Sequence, residues 1–194
     1  DVLELQAYFQ EPEAEQIVRA VPGAGLQVPI WLLGSSLFSA QLAAMLGLPY
    51  AFASHFAPDL LQDALHVYRE SFKPSEQQAT PYAIVGLNVV AADTDEEAAR
   101  LFTSQQIQAI GMVHGQRNQL GPPVDDIESC WNAMEKPAVE HKLTYSCVGS
   151  PETVQQRITD LIEQTQADEL MTTVRIFDPD ACHRSLEILA DVRQ

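Results

Sequence analysis

The chain has 194 residues, 46% of them hydrophobic, and its 27 acidic against 11 basic side chains give a formal net charge of −16. That charge opposes nucleic-acid phosphates and anionic lipid, so any bound anion must rely on local donors. The apolar share is too high for a disordered chain, the length suits one domain or two small ones, and no apolar run is long enough to span a membrane.

In chain order, Val2, Leu5 and Phe9 form one side of a helix, and residues 10–28 are a connection containing Pro, Gly and Glu. Pro29 to Leu33 is a short apolar run of the kind buried on both faces of a parallel sheet. Gly34-Ser35-Ser36 follows at once, Leu37 to Leu46 has helix-forming composition, Gly47 suits the residue after a helix end, and Tyr50 to Ser54 is the next apolar run. This is a strand–helix–strand unit with very short loops. Its chemistry lies at the first corner. A glycine and two serines place N–H groups and hydroxyls at the positive end of a helix, with Ser39 one turn on. The same residues serve equally well as a plain helix cap.

Asp59 to Phe72 reads as an amphipathic helix, Tyr82 to Ala91 as the clearest strand, and Asp93 or Thr94 as the cap of a helix reaching about Gly111. Residues 112–142 are irregular, with a short helix expected around Ile127 to Val139, and a loop region of this length suits either a lid or a surface insertion. Ser150 and Pro151 start a helix to Thr165, Glu169 to Ile176 is a strand, and Asp180 to Val192 a closing helix. Four strands, near 30–33, 51–54, 82–91 and 169–176, each followed by a helix, predict an α/β fold with a parallel sheet and right-handed crossovers. No GxGxxG follows a strand and no GxxxxGK[ST] occurs, so neither a Rossmann site nor a P-loop is supported. Cys130, Cys147 and Cys182 have no CxxC spacing, so neither a disulfide framework nor a zinc site is expected, and with no signal peptide evident the default location is the cytoplasm.

The stretch LLGSSLFSAQLAAMLGLPYAFASHFAP from Leu32 resembles the signature of the bacterial-luciferase-like, flavin-dependent monooxygenases. NVVAADTDEEAARLFTS from Asn88, GPPVDD from Gly121, VGSPETV from Val148 and ADEL from Ala167 extend the resemblance over essentially the whole chain. It implies a (β/α)8 barrel binding FMN at the carboxyl ends of its strands, of which the chain carries the second half, strands five to eight, with residues 112–147 as a lid-like insertion. The expected object is therefore a fragment, a truncated product or part of a longer polypeptide, with two open sheet edges and an apolar inner face.

By the same resemblance Ser35, Ser36 and Ser39 hold the FMN phosphate, and Ala51, Ala53 and Ser54 line the flavin ring. Where luciferase has an acidic residue beside the phosphate turn, this chain has Gly34. His55, just past a strand end, is a candidate to donate to a flavin or peroxide oxygen, set against the plainer reading of a structural histidine. His114 and His141 belong to the irregular region. Arg175 faces either the site or a salt bridge. The implied activity is oxygenation of a small organic substrate by O2 through a flavin hydroperoxide. Electrons would come from NAD(P)H or a partner flavin reductase, and the resemblance also implies a homo-oligomer. No nucleic acid, membrane or metal partner is expected. The alternative is a non-catalytic flavin-binding or structural remnant.

Overall fold

The computed structural model describes residues 1–192. The elements run α1 (Val2–Phe9), β1 (Leu32–Gly34), α2 (Leu37–Leu46), β2 (Tyr50–Phe52), α3 (Leu61–Ser71), β3 (Ala83–Ala91) and α4 (Asp95–Val113). A 3-10 turn (Ile127–Ser129) is followed by α5 (Glu135–Lys142), β4 (Ser146–Gly149), α6 (Pro151–Thr165), β5 (Glu169–Val174) and α7 (Pro179–Asp191).

Helix limits follow local chemistry. Ser36, Thr94, Ser150 and Asp178 cap α2, α4, α6 and α7 by accepting from the backbone N–H three residues on. Gly47 closes α2 in the left-handed conformation. The helix expected over 127–139 is instead a 3-10 turn and, after a break, α5. Asn132 explains the break, because its Oδ1 accepts from the backbone of both Met134 and Glu135 and starts the new helix.

All five strands are parallel. The sheet runs β1-β2-β3, and β5 lies along the other edge of β3. The fifth strand, β4, corrects the expectation of four. The Tyr50 N–H donates to the Tyr82 carbonyl, while the Asn88 and Ala92 N–H groups donate to the Tyr145 and Gly149 carbonyls. Alternate residues of a strand present their backbone groups to the same edge. β4 therefore takes up the edge that β2 has vacated, and nine-residue β3 is long enough to hold both end to end.

The two faces of the sheet differ. Tyr50, Phe52, Val85, Leu87 and Val89 point into the main core against α2, α3, α6 and α7. Parallel register puts Leu33, Ala51, Ile84 and Glu169 in one row of the opposite face, with Gly86 beside Met171 and Asn88 beside Thr173 above it. At its carboxyl end this second face is covered by α4, where Val90 and Ala92 pack on Ala98 and Leu101. Toward the sheet edges it is open, with Leu33 at 66% and Met171 at 53% exposure, while Ala51 and Ile84 between them are buried. The open edges and apolar inner face expected from the sequence are thus present.

Candidate active site

Three parts of the second face meet near the carboxyl ends of the strands. The first is the corner between β1 and α2. Ser36 Oγ accepts from the Ser39 N–H at 3.2 Å, Ser39 Oγ accepts from the Ser36 N–H at 3.3 Å, and Ser39 Oγ donates to the Ser36 carbonyl at 2.7 Å. Tyr50 lies 3.0 Å from Ser39 Oγ and fixes it from below. Ser36 and Ser39 therefore form a reciprocal cap. The Ser35 hydroxyl makes no hydrogen bond among the described residues, and the N–H groups of Leu37 and Phe38 are the free donors of the first turn. A Cβ at Gly34 would come within 2.3 Å of Ser39 Oγ. Position 34 thus has no room for an acidic side chain unless Ser39 moves.

The second part is the floor. Ala51 lies on the second face and Ala53 continues its row, both buried, with the Ala53 N–H donating to the Gly34 carbonyl at 3.0 Å. Gly86 lies alongside Ala53, while Leu33 and Ile84 flank Ala51. Ser54 sits differently. Its hydroxyl is fully buried and donates to the Gly86 carbonyl at 2.5 Å, so it ties β2 to β3 rather than facing the floor.

The third part is His55. Its Nδ1 is buried without a partner, and burial, helped by the Arg175 charge, holds its pKa below the ordinary value. Beneath it Asn88, 2% exposed, joins three segments. Asn88 Nδ2 donates to the His55 carbonyl at 2.8 Å and to Ser146 Oγ at 3.4 Å, and Oδ1 accepts from Thr173 Oγ1 at 2.8 Å. Sequence reading missed Asn88, though one amide in an otherwise apolar strand is a signal that partners surround it. Arg175 itself is exposed, and its guanidinium donates to Gln108 on α4.

The segment 112–147 borders an open cleft of about 790 Å³ against α4 and β4, lined by Thr103, Val124, Val139, Leu143, Ser146 and Arg157 among others. Its two histidines act as fasteners: His114 Nε2 is 2.6 Å from Glu135 Oε1, and His141 Nε2 is 2.5 Å from Asp59 Oδ1 on the main body. Among the described residues no three His, Cys, Asp or Glu side chains are grouped to hold a metal, and no helix is long and apolar enough to cross a membrane.

A parallel sheet whose polar groups gather at its strand ends has the layout of an α/β-barrel enzyme. The luciferase-like monooxygenase family matches residues 3–169, and the chain belongs to that family. A luciferase-like monooxygenase of Escherichia coli K12 is 45% identical over 194 residues, which is the whole of this chain and 58% of the relative. The uncharacterized protein YvbT of Bacillus subtilis 168 is 47% identical, over 97% of this chain and 56% of its own length. The crystal structure of apo-MsnO8 superposes with a TM-score of 0.86 at 31% identity, covering 98% of this chain and 58% of that one. The oxygenating constituent of 3,6-diketocamphane monooxygenase from Pseudomonas putida, solved with FMN, gives a TM-score of 0.55 at 25% identity, covering 92% and 52%. The chain thus spans little more than half the length of the relatives it matches, and its fold is that of the luciferase-like TIM barrel over that length.

Proposed function

We propose that this chain is the carboxyl-terminal, FMN-holding part of a flavin-dependent monooxygenase. The observation that carries the reading is the free anion-binding equipment at the start of α2, near Ala51 and Ala53 of the neighbouring strand. Ser35 Oγ and the N–H groups of Leu37 and Phe38 would hold the phosphate, with the helix dipole offsetting the negative field of the chain. Ser36 and Ser39 shape that turn. Ala51 and Ala53 would give the flat ring room against the sheet, and Ser54 would keep the two strands in register beneath it. Bound reduced flavin supplies the activation of oxygen. The chain's own contribution is to orient the ring, to present His55, and to exclude water with the 112–147 segment serving as a lid. The exposed Leu33 and Met171 favour a complete barrel in which further strands cover the open face. A small organic substrate, an NAD(P)H or reductase electron source, a homo-oligomeric state and a cytoplasmic setting belong to the same proposal.

Supplying the protein with reduced FMN and isotopically labelled oxygen tests it. Label transferred to an organic acceptor is the expected result. Hydrogen peroxide as the sole oxygen product would favour the non-catalytic reading.

A further inference from the structure

His55 is held more tightly than a surface histidine requires. A Cβ at Gly86 would lie 2.3 Å from its Nδ1 and 3.1 Å from Cε1, so the ring edge rests on the backbone of β3. The Phe56 ring meets it edge-on, with centroids 4.6 Å apart and planes at 88°. Its carbonyl is held separately by Asn88, whose amide has both ends fixed, one by His55 and one by Thr173. Two strands therefore define where the imidazole stands, and Nε2 is left as the nitrogen that reaches the open side.

A neutral imidazole carries one N–H. On Nδ1 that proton would be a buried donor with no acceptor, the rarer kind of orphan in folded proteins, whereas an unmet lone pair there is better tolerated. We infer that His55 is a fixed Nε2–H donor that binds a carbonyl or anionic oxygen of a planar ligand at the carboxyl ends of β2 and β3. The ligand half of this statement rests on the flavin reading, and the tautomer does not. Burial and Arg175 both disfavour a second proton, which keeps the ring a single donor.

Nitrogen-edited NMR of the histidine rings in the ligand-free protein tests the tautomer. His55 is expected to show a bare Nδ1 and a protonated Nε2, with Gly86→Ala shifting both signals, and a protonated Nδ1 would overturn the inference. FMN titration of two variants tests the donor. His55→Gln keeps an N–H near the position of Nε2, while His55→Asn keeps one only near Nδ1. FMN affinity should fall about tenfold in His55→Asn and stay within about threefold in His55→Gln, the loss of one hydrogen bond. Equal losses, or none, would overturn the donor role. Failure of the unaltered protein to bind FMN would overturn the flavin reading and the ligand role together, leaving the tautomer to be decided by the spectrum alone.

Discussion

Ser39 on α2 and Tyr50 on β2 meet hydroxyl to hydroxyl at 3.0 Å, across the corner where the candidate phosphate site forms. Tyr50 is fully buried, and burial raises its pKa, so it remains a neutral phenol. Its hydroxyl links the strand layer to the helix start. Tyr50→Phe removes that link while keeping the ring, and should lower stability by about 0.5–1.5 kcal/mol. Urea unfolding of the two proteins measures the difference.

Gly34 makes the same corner possible by its lack of a side chain. In Gly34→Ala the new carbon would lie 2.4 Å from Ser39 Cβ as well as close to its Oγ, so the first turn of α2 must move. An overpacked site of this kind costs about 1–3 kcal/mol, against about 1 kcal/mol for the loss of the cap in Ser36→Ala. Thermal unfolding should rank Gly34→Ala as the more damaging of the two.

Much of this architecture was legible in the chain. Gly34-Ser35-Ser36 announced a corner, Ser150-Pro151 announced the start of α6, and the apolar run from Ala83 announced β3. β4 was not legible, because Ser146–Gly149 is four residues long and is a strand only where Asn88 to Ala91 offer an edge that β2 does not reach. Ser54 was placed on the flavin side by resemblance, yet its hydroxyl is spent on the Gly86 carbonyl, a pairing set by tertiary contact. Ser35, Ser36 and Ser39 are alike in sequence. Only the folded corner separates the free hydroxyl from the two that cap.

Asp95 on α4 accepts from the Ser150 N–H at 2.7 Å, joining the starts of α4 and α6. That hydrogen bond, first among several, lowers its pKa below the usual 3.8. A carboxylate with a lowered folded pKa gives stability that is fully present above the unfolded value and is lost as pH falls through the folded one. Asp95→Asn should therefore destabilise the protein at neutral pH and make little difference in strong acid. Chemical denaturation at the two pH values checks the sign.

Cys147 on β4 is buried, and burial pushes its thiol up to about 11. Cys130 is exposed. At mildly alkaline pH a thiol reagent should label Cys130 in the folded protein and reach Cys147 only on unfolding, since the thiolate is the reactive form. Mass-mapped labelling with and without urea shows which sites react.

The measurement closest to the core of the account compares FMN with riboflavin, which lacks the phosphate, on the unaltered protein and on Ser35→Ala. FMN is expected to bind at least about tenfold more tightly than riboflavin, as one charge-assisted hydrogen bond or more would give, and Ser35→Ala to narrow the gap by weakening FMN alone. Equal affinity for the two flavins, or an unchanged gap in the variant, would contradict a phosphate site at the start of α2.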